Sequence, residues 1–173
     1  CLDLGINRMN RELFCLSQNN GNLRGMGSTL VTAYVEDRVL FVSNVGDSRA
    51  YLFRKSRLKQ LTRDHSYVEE MIERGKMIRG SREYLSYKNY ITRAVGVEEQ
   101  LAVDYFEEEL EEGDLFFLCS DGLSNMVDHE SMVQVLKDDA DLEEKGQALI
   151  DLANINGGKD NIALILVDPF GKE

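Results

Sequence analysis

The chain has 173 residues, the length of one domain at roughly 100–200 residues each, and enough to bury a core without disulfide staples. Its 43% hydrophobic and 29% charged residues exclude an intrinsically disordered polymer. The net charge of −11 argues against a nucleic-acid footprint, and the longest apolar run, Ile162–Val167, falls far short of the about 20 residues a bilayer span needs.

Residues 1–19 carry Leu2, Ile6, Met9, Leu13 and Leu16 at spacings of three and four, the stripe of an amphipathic helix. Gln18–Gly21 ends it with residues that tolerate left-handed geometry. The chain opens on Cys1 rather than Met, inside this helical pattern, so an N-terminal portion is expected to precede it. Three β-rich runs follow, Thr29–Val35, Arg38–Val45 and Ser48–Arg54, with a brief fourth at Leu58–Leu61. Their short joints, Glu36-Asp37 and Gly46-Asp47, predict an antiparallel meander.

Ser66–Gly75 reads as a short helix with Ser66 as N-cap and Glu69 at the capping-box position. Residues 76–90 are basic, tyrosine-rich and aperiodic, and read as a surface loop. Leu101–Leu110 and Leu115–Cys119 are further strands joined across Glu111-Glu112-Gly113. Ser131–Leu136 and Glu143–Ile155 are helices, the second closed by Asn156-Gly157-Gly158. Ile162–Val167 is the last strand, predicted central because it is wholly apolar. Helices that bracket and interrupt antiparallel strands imply helices packed on sheets.

Three aspartates share one setting, the end of an apolar strand beside glycine or a small polar residue. Asp47 lies in Asn44-Val45-Gly46-Asp47-Ser48-Arg49, Asp121 in Leu118-Cys119-Ser120-Asp121-Gly122, and Asp160 in Gly157-Gly158-Lys159-Asp160-Asn161. Such carboxylates are held rigidly yet reach solvent, and a neighbouring glycine admits a second oxygen ligand. Hard divalent cations want oxygen donors, so aspartates converging from several strands would suit Mg²⁺ or Mn²⁺. Taken singly, each Asp-Gly is a common turn. The three cysteines, Cys1, Cys15 and Cys119, form no metal pattern. They read as buried free thiols of a reducing, cytoplasmic compartment, and no arginine follows one at the spacing of a cysteine phosphatase loop.

Gly25-Met26-Gly27-Ser28-Thr29-Leu30, Val45-Gly46-Asp47-Ser48-Arg49-Ala50-Tyr51, Leu61-Thr62-Arg63-Asp64-His65-Ser66, Cys119-Ser120-Asp121-Gly122-Leu123 and Lys159-Asp160-Asn161 occur in that order. As a set they closely resemble the metal-dependent serine/threonine protein phosphatases of type 2C, in the compact form of bacterial members. The resemblance covers Gly25 to Val167. It implies an α+β fold of two stacked antiparallel β-sheets flanked by helices, an αββα sandwich, as one domain over residues 1–173.

The resemblance also implies a chemistry: hydrolysis of phosphoserine and phosphothreonine in proteins by a water activated between two Mn²⁺ or Mg²⁺ ions. Asp121 and Asp160 match metal ligands, and Asp47 matches the ligand of a third, weaker ion. Residues 64–96 match the flap beside the active site. The family's upstream Asp-Gly pair, with its ion-bridging aspartate, a nearby histidine and a phosphate-binding arginine, is not matched; the nearest candidate is Asp3-Leu4-Gly5. The chain alone is therefore expected to be catalytically incomplete, and a non-catalytic phosphatase-like binding or regulatory module is the alternative. A structural cation-binding domain is a third, weaker reading.

Charge is unevenly spread: residues 1–96 carry 16 basic and 10 acidic groups, and residues 97–173 carry 4 and 21. This asymmetry suggests either a basic face for an anionic partner or ordinary solvated faces; on the first reading Arg74, Lys76, Arg79 and Arg82 are candidates for contacting an acidic phosphopeptide. The implied partners are phosphorylated proteins and a cognate serine/threonine kinase pathway, with no nucleic acid and no membrane segment. His65 reads as ordering the flap entrance rather than as a general acid. Arg49 either binds phosphate or pairs with a carboxylate.

Overall fold

The computed structural model describes residues 2–171. Two compact units divide the chain. One takes in the residues up to Leu30, Asn44–Asp47 and Asp64–Asp104; the other takes in Val31–Ser43, Ser48–Arg63 and the residues from Tyr105 onward.

The second unit carries most of the sheet residues. β1 (Leu30–Glu36), β2 (Val39–Val45) and β5 (Asp104–Glu109) form one, in the order β1-β2-β5. β3 (Arg49–Arg54), β4 (Arg57–Gln60), β6 (Leu115–Cys119) and β7 (Leu164–Val167) form the other, in the order β4-β3-β6-β7, every pair antiparallel. Side-chain alternation sorts the strands between two cores. Ala50, Leu52, Phe116 and Leu118 meet Leu40, Val42, Val31, Ala33 and Phe106 of the three-stranded sheet. Tyr51, Phe53, Phe117 and Cys119 point the other way, onto Leu123, Met132, Val133, Leu136, Leu149 and Ala153. Those residues come from α4 (Asp121–Ser124), α5 (His129–Lys137) and α6 (Leu142–Ile155). Phe117 and Leu149 are fully buried, each contributing about 1.5–3 kcal/mol by area. The two antiparallel sheets and their helices give the expected α+β sandwich.

Helix ends follow local chemistry. Asp128 Oδ1 caps α5 by accepting from Ser131 N at 2.9 Å. Asp141 and Glu144 close a capping box at α6. A buried clasp joins β3 to the β5–β6 turn: Arg54 donates to both Asp114 carboxylate oxygens, at 2.9 and 2.7 Å, and Asp114 also accepts from Glu111 N at 2.8 Å. Burial pushes the Asp114 carboxyl pKa up, but the Arg54 hydrogen bonds, the Glu111 amide and the nearby cations outweigh it, and the pKa lies below the ordinary carboxylate value.

The first unit holds α1 (Leu2–Asn19), α2 (Tyr67–Glu73) and α3 (Arg82–Tyr87). Buried Asn10 donates to the carbonyls of Glu98 and Glu99 at 3.0 and 3.2 Å and accepts from Gly96 N at 2.7 Å. Ser28 and Val95 exchange two backbone hydrogen bonds.

Several expectations need correction. The three runs are not one meander, because β2 and β3 lie in different sheets and the chain changes sheet at Gly46-Asp47-Ser48. β5 and β6 likewise fall in different sheets. The first hairpin turns at Asp37-Arg38, both at positive φ, rather than at Glu36-Asp37. β7 stands at the end of its sheet order rather than in the centre, with Ile165 61% exposed. Residues 76–90 are partly helical, since Ser81 accepts from Tyr84 N and starts α3. The buried side of α1 runs through Ile6, Asn10 and Ser17, leaving Leu16 exposed. Cys119 is a buried thiol, whereas Cys15 is exposed; Cys1 lies outside the described residues.

Candidate functional site

Asp121 and Asp160 occupy two turns that are laced together. β6 ends at Cys119, and Ser120 precedes the four-residue helix α4, which places Asp121 in its first turn. Ser120 N donates to Ala163 O at 3.0 Å, and Ala163 N donates back to Ser120 Oγ at 3.0 Å. Ser120 Oγ in turn donates to Asn161 O at 3.1 Å. Ser120 thus ties the start of α4 to the residues after Asp160. Gly122 brings the turns closer still: a Cβ placed on it would overlap the carbonyl oxygen of Asn161. The glycine of the Asp-Gly pair is needed for this close approach of backbone.

Half-buried Asp121 accepts from Asn125 Nδ2 at 3.2 Å through Oδ2. Exposed Asp160 accepts from Asn161 N at 2.7 Å through Oδ1. The donors gathered here are carboxylate and carbonyl oxygens, the set a hard divalent cation takes, and such ions bind through one or two carboxylates with retained water. Among the described residues, no group of three or more His, Cys, Asp or Glu side chains is arranged to hold a metal ion. Two carboxylates with carbonyl oxygens beside them are donors of the type that suits a hard divalent cation, and water would have to complete its coordination.

Asp47 belongs to the other unit. Gly46 before it has φ +102°, and a Cβ there would run into the Thr29 side chain. Gly46 N donates to His65 Nδ1 at 3.1 Å, and His65 N donates to Gly46 O at 2.9 Å. His65 is 5% exposed, and its Nε2 lies 3.1 Å from Asp104 Oδ2. Arg93 Nη1 donates to Asp104 Oδ1 at 2.8 Å. Burial pushes the Asp104 pKa up, but the hydrogen bonds from His65 and Arg93 outweigh it and hold the pKa below the ordinary value.

In the segment 64–96, Ser66 Oγ caps α2 by accepting from Glu69 N, as expected. The ends of the excursion are closed by the Ser66–Ile91 bridge and by Tyr67 N donating to Tyr90 O at 2.8 Å. Arg79 is held by Glu69, at 2.6 Å, and lies over the Tyr84 ring. Arg74 lies 3.5 Å from Glu70, and Lys76 and Arg82 are exposed. Tyr87 makes edge contacts with both Tyr67 and Tyr90. Arg49 donates to the Tyr51 hydroxyl at 3.1 Å.

The structure thus brings Asp121 and Asp160 together and sets Asp47 in a separately clamped turn. Sequence reasoning missed the clamps themselves. Ser120, His65 and Asn161 all lie within the motifs, but nothing local pairs Ser120 with Asn161 or marks Asp104 and Arg93 as partners of His65.

Comparison with known proteins agrees with these features. The protein phosphatase 2C family profile matches residues 6–74. The serine/threonine phosphatase stp of Listeria monocytogenes serotype 4b (strain F2365) is 40% identical over 163 residues, which are 94% of this chain and 65% of that protein. The chain thus spans about 65% of the length of the curated relatives it matches first. The crystal structure of serine/threonine phosphatase Stp1 from Staphylococcus aureus superposes with a TM-score of 0.93 at 32% identity, covering 98% of this chain and 67% of that one. The catalytic domain of the serine/threonine protein phosphatase PstP, solved with 2 manganese ions, superposes with a TM-score of 0.84 at 30% identity, covering 95% of this chain and 68% of that one. Sequence order, sheet architecture and these relatives agree: the chain belongs to the protein phosphatase 2C family.

Proposed function

We propose that the protein hydrolyses phosphoserine and phosphothreonine in proteins with the help of Mn²⁺. The observation that carries this reading is the lacing of the Asp121 and Asp160 turns through Ser120 and Gly122 in a chain 40% identical to a serine/threonine phosphatase. Asp121 and Asp160 would hold the divalent ions, Mn²⁺ or Mg²⁺, and Asp47 a third, weaker one. When bound, such ions polarise the phosphate and supply hydroxide near neutral pH. The chain's own residues do the positioning. Ser120 and the Asn161 carbonyl keep the two aspartate turns in register, and the flap closes on itself through Ser66, Tyr67, Tyr90 and Ile91. Lys76 and Arg82 are the flap cations best placed to meet a phosphopeptide, with Arg74 and Arg79 already beside carboxylates. A kinase acting on the same proteins and a cytoplasmic setting complete the reading.

The test is release of phosphate from a phosphothreonine peptide by the full-length protein, with Mn²⁺ titrated, for wild type, Asp121→Asn and Asp160→Asn. Both variants should lose at least a hundredfold in turnover at limiting Mn²⁺ while melting near wild type. Near-normal turnover in either would remove that residue from the ligand set. A second reading, a phosphatase-like binding module without turnover, is favoured by the lack of a three-residue metal group among the described residues. It predicts phosphopeptide binding with no phosphate released at any Mn²⁺ concentration.

A further inference from the structure

We infer that His65 is a positioning residue for Asp47: its ring holds the Gly46–Asp47 turn by the Gly46 amide, and Asp104 and Arg93 fix that ring. This rests on the reading of Asp47 as a metal ligand.

The hydrogen bonds determine the ring's tautomer. A backbone amide can only donate, so His65 Nδ1, 3.1 Å from Gly46 N, must present its lone pair. The ring hydrogen then sits on Nε2, which faces the Asp104 Oδ2 acceptor at 3.1 Å. Arg93 Nη1 is also 3.1 Å from Nε2, but two donors do not bond to each other. They share Asp104, Oδ1 serving Arg93 and Oδ2 serving His65. Both ring nitrogens are therefore engaged, and the buried ring acts as a strut rather than as a proton donor to substrate.

The strut grips one residue through both of its peptide groups. His65 accepts from Gly46 N through its ring and donates to Gly46 O through its own backbone at 2.9 Å. Asn44 Nδ2 adds a third bond, to Gly46 O at 3.3 Å. With Thr29 against its α-carbon, Gly46 has little room to move, so the backbone entering Asp47 is set before any ligand arrives. His65 also anchors the flap, since its carbonyl accepts from Thr92 N at 2.8 Å. Outer residues that orient a ligand commonly change metal affinity by 10–100-fold.

The experiment uses the full-length protein and Mn²⁺ alone, with free Mn²⁺ followed by electron paramagnetic resonance. Asp47→Asn should abolish the weakest binding step. His65→Phe, which fills the space but cannot accept the Gly46 amide, should weaken that step about tenfold. His65→Asn, whose side-chain oxygen falls near the Nδ1 position, should restore most of the affinity. Nitrogen-15 spectra of the wild type should show a lone pair on Nδ1 and a hydrogen on Nε2. If Asp47→Asn loses the step while His65→Phe keeps it, positioning is refuted and the Asp47 reading stands. If Asp47→Asn binds Mn²⁺ as wild type does, the Asp47 reading fails and the proposal with it. A hydrogen on Nδ1 overturns the proposal even if His65→Phe does not fold.

Discussion

Gly122→Ala is the most informative single methyl group that can be added to this chain. The new Cβ would overlap Asn161 O, stand 2.9 Å from the Asn161 carbonyl carbon and 3.4 Å from that of Asp160. The obstacle is backbone, so a rotamer change cannot relieve it. The Asn161 carbonyl must retreat by roughly 1 Å, and overpacking of this kind costs about 1–3 kcal/mol. Retreat also strains the Ser120 Oγ bond to Asn161 O, now 3.1 Å, worth about 1 kcal/mol. A total near 3 kcal/mol lowers Tm by about 6–12 °C for a chain of this size. Because the displaced peptide follows Asp160, Mn²⁺ affinity should fall with stability. Gly146→Ala is the control: it lies in α6, and a Cβ there meets only Leu164 Cδ2 at 3.9 Å. That substitution should stabilise by about 0.5–1 kcal/mol, the ordinary helix preference for alanine over glycine. Thermal melts with and without Mn²⁺ measure both variants. Equal Tm for wild type and Gly122→Ala would refute the claim that this glycine exists for the Asn161 approach.

Ser120→Ala removes both side-chain bonds that lace the aspartate turns, and should cost about 1–3 kcal/mol by denaturant unfolding and weaken Mn²⁺ binding without removing a ligand. Arg54→Met strands the 1%-exposed Asp114 carboxylate, and should cost about 3 kcal/mol at pH 7. Because the folded Asp114 pKa is lowered, its contribution is present above the unfolded value of about 3.9 and is lost as pH falls through the folded value; stability curves from pH 7 to 2 should show that acid loss flattened in Arg54→Met. Neutralising Arg74, Lys76, Arg79 and Arg82 together should slow hydrolysis of acidic phosphopeptides more than of a small aryl phosphate, and equal losses on both would assign these residues to flap stability instead. Within that set, Arg79→Gln alone should loosen the flap, because it frees Glu69 and uncovers Tyr84, and amide exchange over residues 66–92 reads this directly.

The elements were legible where local pattern decides them. α6 carries its terminal glycines in the sequence, although its Asp141 cap went unread, and β3 and β6 alternate between two apolar faces. The sheet change at Gly46-Asp47 was not legible, because the dipeptide is a legitimate hairpin turn and both flanking runs are good strands. What turns the chain instead is Gly46 wedged against Thr29 and bonded to His65, contacts made by distant residues. β7 misled for a related reason. Leu164 and Leu166 pack on the helix side and Val167 toward the other sheet, while Ile165 is exposed, so an unbroken apolar run marked a strand but not its place. In α1 the apolar stripe was offset from the buried side, because Asn10 is buried by its three hydrogen bonds rather than by hydrophobicity.

The two kinds of aspartate turn show the same division of labour. The acidic residue can be read from sequence, but the group that holds its turn is neutral: Ser120 for Asp121 and Asp160, the His65 ring for Asp47. A neutral holder is physically apt, because a further carboxylate would add repulsion and a cation would compete with the metal for the ligand. Holding the backbone also limits the conformational freedom a ligand must lose on binding, at roughly 1–2 kcal/mol per residue fixed. Serine accepts from one backbone amide while donating to a carbonyl, and a neutral imidazole accepts through one nitrogen while donating through the other. Either side chain can therefore join two segments that share no regular hydrogen-bond ladder. If these aspartates hold cations as proposed, the affinity of each turn is set by two separable contributions, the charge of the aspartate and the rigidity given by its holder. Ser120→Ala and His65→Phe reduce the second and leave the first unchanged.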